Sequence, residues 1–232
     1  MMGMEQEGTA TGTGERGSRA ALAGVIFAAL FVAGWLLTQQ SPPLEAPRDE
    51  LVRYYTDPDQ RWASVAAGLY VIPFAAIAFI WFMAALRDRY LRSGGRENVL
   101  LSTAQLVSGS LYVMALFSSA AVELALVWMA DQPPDANFDV DAARTMVAFG
   151  AALSQIVALR TGAVFIAIST TRAMRSGLFP RWYGVLSTIG ALLLMFTYTT
   201  FPLTGMLMPI WVIVTSALVM VRRVTHANPT GN

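Results

Sequence analysis

Residues 99–171 read VLLSTAQLVSGSLYVMALFSSAAVELALVWMADQPPDANFDVDAARTMVAFGAALSQIVALRTGAVFIAISTT, and this stretch decides the fold. It is an apolar run, an acidic loop at 131–141 that carries Pro133-Pro134, and a second apolar run. As helices rising about 1.5 Å per residue, the runs at 99–129 and 142–171 each exceed the about 30 Å thickness of a hydrocarbon core. Joined by so short a loop, they read as an antiparallel pair of membrane spans. Glu123 in the first and Arg160 in the second are the only charges well inside apolar runs anywhere in the chain. A charge at the centre of a bilayer costs at least about 2.5–3.5 kcal/mol, so the two mark the chain's candidate site. Ser108, Tyr112, Ala115, Ser119 and Glu123 recur at helical spacing and share one face of the first run.

The rest of the chain has the same character. It is 232 residues long, 55% apolar and only 13% charged, where a soluble domain carries about 25% charged residues. The deficit fits a surface that faces lipid. The net charge is +1 and all 16 basic residues are arginines scattered among loops, so no basic surface for nucleic acid exists. There is no cysteine, and the single histidine, His226, lies near the C-terminus. Disulfides, thiolate nucleophiles, cysteine or multi-histidine metal sites and histidine-based triads inside the membrane are thereby excluded.

Six spans emerge, at about 20–38, 62–86, 99–129, 142–171, 182–201 and 205–221. Residues 1–18, rich in Gly, Thr, Glu and Arg, read as a disordered tail, and 224–232 as a polar one. The first apolar run is longer than the core of a signal peptide and lacks a small-x-small cleavage pattern after it, so it reads as a retained helix. The loop at 39–61 holds five acidic residues. In it, 49–55 has the pattern of a short surface helix, and Asp57-Pro58-Asp59-Gln60 reads as N-cap, first helical residue and capping-box partner. Gly177 and Pro180 read as the stop of the fourth span and the start of the fifth. Tyr183 to Val221 as one helix would be about twice the core thickness, so a tight hairpin is the expected arrangement. Arg16, Arg19, Arg87, Arg89, Arg92, Arg96, Arg172, Arg175, Arg181, Arg222 and Arg223 fall on one side of such a bundle, against Arg48, Arg53, Arg61 and Arg144 on the other. The positive-inside rule then puts both termini in the cytoplasm of a bacterial inner membrane. The expected fold is an all-α, six-helix transmembrane bundle.

Phe79-Ile80-Trp81-Phe82 followed by Leu86-Arg87-Asp88-Arg89, and Arg175-Ser176-Gly177-Leu178-Phe179-Pro180-Arg181-Trp182, carry a resemblance. The chain resembles small multi-spanning membrane proteins of actinobacteria grouped only as domains of unknown function. The resemblance covers the membrane region. It implies a polytopic inner-membrane protein and brings no activity or functional residues with it.

The polar face of Ser108, Tyr112 and Ser119 has two readings: interhelical packing, or a path leading to Glu123. Arg160 is either the structural partner of Glu123 or part of a functional site with it. Asp135, Asn137, Asp139 and Asp141 space their oxygens like a calcium loop, but Val140 stands at the required glycine and Met146 at the required glutamate. Asp139 or Asp141 as N-cap is the simpler reading, and neither metal nor cofactor is expected. The nucleophile elbow, the zinc-protease helix and the phosphate-binding glycine loop are missing from the sequence, so no enzymatic activity is expected. Two roles stay open: a structural or accessory protein assembling in the bilayer with itself or with a membrane partner, and a small transporter or channel using Glu123 and Arg160.

Overall fold

The computed structural model describes residues 11–43, 45–92, 98–131, 139–197 and 202–226. The regular structure among the described residues is entirely helical. Helix α1 is Thr11–Thr38 and α2 is Arg48–Thr56. Helix α3 joins Pro58–Ala66, a π turn at Ala67–Val71, and Ile72–Arg92. Helix α4 is Val99–Ala130. Helix α5 joins Val140–Ala152, a π turn at Leu153–Ala158, and Leu159–Arg175. Helix α6 is Arg181–Phe196, and a 3₁₀ turn at Pro202–Met206 leads into α7, Leu207–His226.

Among the described residues four helices are long and apolar enough to cross a membrane: Ala21–Thr38, Pro58–Leu91, Val99–Ala130 and Val140–Arg175. The expected fifth and sixth spans are the shorter apolar helices Arg181–Phe196 and Thr204–Met220. With its 16 residues, α6 is about 24 Å long, less than a hydrocarbon core. The backbone from Thr11 to Ser18, read as tail in the sequence, continues α1 as helix. Residues 224–226 likewise continue α7, while 1–10 and 227–232 lie outside the described residues.

Local chemistry explains the helix ends. The Asp57 carboxylate accepts from the Asp59 N–H at 3.0 Å. The Gln60 amide donates to the same carboxylate at 2.7 Å. It does not accept from the Asp57 N–H, as a capping box requires, because that N–H is bonded to the Arg53 carbonyl. The Asp139 carboxylate accepts from the N–H groups of Asp141 and Ala142 at 3.0 and 3.1 Å. Asn98 caps α4 in the same way. Gly177, at φ 68°, ends α5 in the left-handed conformation that glycine adopts without a Cβ clash.

Both π turns have a visible cause or compensation. Pro73 lacks an N–H and would clash with the carbonyl four residues back. The wider turn at Ala67–Val71 immediately before it relieves that conflict. In α5 the loosened carbonyls are met by side chains. Ser154 Oγ donates to Gly150 and Ala151, Arg160 Nη1 to Ile156, and Thr161 Oγ1 to Val157 and Ala158. Such local donors satisfy backbone that lipid cannot.

Helix α1 packs on α3 and α7, α3 on α4, α4 on α5, and α5 on α6. The centre is aromatic: Phe27 of α1, Phe79 and Phe82 of α3, Tyr112 of α4, Phe165 of α5 and Trp211 of α7. Phe79 lies at the hub, with ring centroids 5.0 Å from Phe27, 4.9 Å from Tyr112 and 5.1 Å from Phe165. Each such pair contributes about 0.5–1.5 kcal/mol beyond area burial. That matters here because lipid tails are as apolar as the side chains they would replace. The periphery is apolar as well: Trp128, Phe196, Trp81 and Met114 are 79%, 78%, 68% and 66% exposed. A surface of this kind requires an apolar surround.

At one end of the bundle α2 lies across the ends of α4 and α5. Its Leu51, Tyr54 and Tyr55 are buried with Leu126, Val140 and Ala143. Arg61 pairs with Asp131 at 2.5 Å, and Arg144 donates to the Ala46 carbonyl at 2.9 Å. These two ties hold the segment around α2 as a cover.

Candidate functional site: a cavity lined by Glu123 beneath α2

A cavity of ≈ 560 Å³ opens beneath this cover. Gln39, Ser41 and Tyr55 line its upper part, Glu123 and Ser119 of α4 its wall, and Tyr112 lies deeper along the same helix. Glu123 and Tyr112 are about three turns apart, about 16 Å along the axis, and point the same way. The π turn of α5 contributes Ser154, Gln155 and Ala158 to the opposite wall. Gly205, in the turn before α7, also lines the cavity. The short α6 accounts for the space. Met208, just past that turn, lies against Gly162, which is about 33 Å along α5 from its start. The α6–α7 turn therefore stops far below α2, and the cavity occupies the level it leaves.

Two polar atoms on this wall are buried without a hydrogen-bond partner, Glu123 Oε2 and Tyr112 Oη. Above Glu123, the hydroxyls of Ser41, Tyr54 and Ser64 form a triangle with edges of 3.0, 3.2 and 3.3 Å. Ser64 and Tyr55 both stand next to the Glu123 carboxylate. Burial pushes the Tyr55 phenol above its ordinary range, and the carboxylate of Glu123 and then Tyr54 push it the same way. Gly68, in the π turn of α3, lets that helix approach α4 at this level. A Cβ there would lie 3.0 Å from the Ala120 carbonyl oxygen and 3.3 Å from Glu123 Cβ.

The five residues singled out by sequence divide. Glu123, Ser119 and Tyr112 line the cavity, whereas Arg160 and Ser108 do not. Arg160 Nη1 donates to the Ile156 carbonyl at 3.2 Å, and no hydrogen bond or ion pair among the described residues joins it to Glu123. Ser108 and Ser119 return their hydroxyls to their own helix, to Gln105 and Leu116 carbonyls at 3.1 and 2.9 Å. Asp139 is an N-cap, and Asp135 lies outside the described residues. Among the described residues no group of three or more His, Cys, Asp or Glu side chains is placed to hold a metal.

Sequence reading passed over a second polar cluster, near the α5–α6 end. Arg172, placed in a loop by sequence, is 8% exposed on the last turns of α5. Its Nη1 donates to Gln105 Oε1, and its guanidinium stacks 4.8 Å from the Tyr90 ring centroid. Gln105 Nε2 donates to Ser169 Oγ at 2.8 Å, and Tyr90 Oη to the Ser169 carbonyl at 2.9 Å. The signal was Gln105, a strongly polar side chain inside an apolar run, which a search for charges alone omits.

Fold and surface together are those of an all-helical chain compatible with a membrane: among the described residues four helices are long and apolar enough to cross a bilayer. Compared with protein-family models, with curated proteins and with solved structures, the chain has no significant match.

Proposed function

We propose that this is a six-segment protein of the bacterial inner membrane, with both termini in the cytoplasm, and that its cavity takes a solute from the outer side. This is the transporter or channel class. The arginine asymmetry supports the orientation, which makes the α2 end the outer one. The observation that carries the reading is Glu123, whose Oε2 is buried without a partner on the wall of a ≈ 560 Å³ cavity. Ser64 reaches the carboxyl group and Oε2 is left without a partner; a group kept for architecture alone has its buried polar atoms bonded, because leaving one unsatisfied costs about 1–3 kcal/mol. The structural reading relied on Arg160 as that partner, and Arg160 is bonded to Ile156. The cavity volume lies within the about 300–1,000 Å³ of small-molecule sites.

The chain's lack of cysteine allows a direct test. Ser154→Cys on the cavity wall should react with a membrane-impermeant maleimide in intact cells. Ser176→Cys, in the turn after α5, should react only after permeabilisation. Labelling of Ser176→Cys from outside would reverse the orientation. A Ser154→Cys protein that stays unlabelled from both sides would close the cavity and end the solute reading.

A further inference from the structure

The charge balance of the cavity says more about its occupant, given the solute-binding reading on which this inference rests. Among the described residues that line it, Glu123 is the only charged one. Arg160 does not line it and donates to Ile156 of its own helix, and Arg61 and Arg144 are engaged with Asp131 and Ala46 in the cover. An anion entering would meet a carboxyl group with no cation beside it, and a neutral apolar solute would leave Glu123 Oε2 without a partner. A hard metal ion needs about six to eight oxygen ligands for calcium, or near-octahedral geometry for magnesium. One carboxylate among dispersed hydroxyls provides neither. The remaining wall is uncharged: polar side chains such as Gln39, Ser41, Ser154 and Gln155 alternate with aliphatic ones and with the rings of Phe31, Trp35, Tyr55 and Tyr112. Aromatic faces attract a desolvated cation and pack an apolar body. The elongated shape, about three helical turns from Glu123 to Tyr112, suits a ligand with a charged head and an apolar extension.

We infer that the cavity binds a lipophilic organic monocation, an ammonium whose head pairs with Glu123 and whose apolar body lies toward Tyr112. The head gives Glu123 Oε2 the partner it lacks, through a charge-assisted hydrogen bond. The body replaces cavity space with contacts to the aromatic rings. Among the described residues that line the cavity no other charge competes for the head.

Three probes share one body and differ only in the head: 4-phenylbutylamine, 4-phenylbutanol and 4-phenylbutyrate. They are titrated against the full chain in phosphatidylcholine nanodiscs at neutral pH, with thermal unfolding as readout. The amine should stabilise saturably, and the alcohol and the acid should not. Glu123→Gln should weaken the amine's binding at least about tenfold, the factor that corresponds to about 1.4 kcal/mol. Glu123→Asp, which keeps the charge, should retain saturable binding and covers the case in which Glu123→Gln does not fold. Equal stabilisation by all three heads, or an amine effect that survives intact in Glu123→Gln, overturns the inference. No amine effect, with Ser154→Cys still labelled from outside, overturns the ligand class and leaves the solute-binding reading standing. Loss of labelling as well removes both.

Discussion

Arg160 and Glu123 stand on adjacent antiparallel helices and do not meet. Arg160 gives its Nη1 proton to the Ile156 carbonyl one turn back on α5, while Glu123 lines the cavity between α4 and α5. Val122, next to Glu123, faces Gly150 of α5, and Arg160 lies further along that helix, so the two charges are separated by about 15 Å along the bundle axis. Their substitutions should therefore add. Glu123→Gln and Arg160→Gln, measured singly and together by reversible unfolding, should combine within about 0.3–0.5 kcal/mol. An interaction energy above about 1 kcal/mol would mean the charges are coupled after all.

The buried Arg172 gives a second expectation. Gln105 Oε1 accepts from its guanidinium, and both residues are nearly inaccessible, at 2% and 8% exposure. Gln105→Leu removes the acceptor and should cost about 1.5–3 kcal/mol, the range for a hydrogen bond to a charged group. Gln105→Glu keeps the acceptor in nearly the same shape and should recover most of the loss. The Ser169 hydroxyl can reverse its role and donate to the new carboxylate. Unfolding titrations that rank the leucine variant level with the wild type would remove this cluster from the account of stability.

Much of the architecture was legible because apolar length and turn chemistry are local properties. The hairpin at 99–171, the short helix in the 39–61 loop, the Asp57 and Asp139 caps and the stop at Gly177 all follow from residues within one or two turns. The pairing of Glu123 with Arg160 was not legible, because it depends on relative depth and on helix rotation. The π turn at Leu153–Ala158 changes both, and it gives Arg160 a carbonyl to satisfy on its own helix. The burial of Arg172 was missed for a similar reason. Where a basic residue stands after an apolar run, only the length of the neighbouring helices decides whether it is in water or in the bundle. The short α6 was read as a full span because the apolar pattern continues into residues 197–201, although the helix ends at Phe196.

At the α2 end, Asp139 should act as a cap. Its carboxylate meets two otherwise unsatisfied N–H groups at the start of α5. Asp139→Ala should lower stability by about 1 kcal/mol. Millimolar calcium should leave the unfolding temperature of the wild type unchanged, because Val140 and Met146 stand where a calcium loop needs glycine and glutamate, and among the described residues no group of three or more acidic side chains is placed to hold a metal. A saturable calcium shift that disappears in Asp139→Ala would establish a metal site instead.

Two glycines separate close helix packing from mere helix content. Gly68 lies where α3 crosses α4 beside Glu123, and a Cβ there would lie 3.0 Å from the Ala120 carbonyl oxygen and 3.1 Å from Leu124 Cγ. The nearer atom is backbone and cannot rotate aside, so Gly68→Ala must push the helices apart or open the π turn further. Overpacking of this kind costs about 1–3 kcal/mol. The same displacement would move the Glu123 wall of the cavity, so amine binding should weaken along with stability. Gly190, inside α6, has no atom within 4 Å of its would-be Cβ. Gly190→Ala meets no obstacle and gains about 0.5–1 kcal/mol by restricting the unfolded chain and favouring the helix. The two substitutions are chemically identical and should move the unfolding temperature in opposite directions. If both stabilise, α3 and α4 are not in close contact at Gly68, and the cavity wall beside Glu123 must be drawn differently.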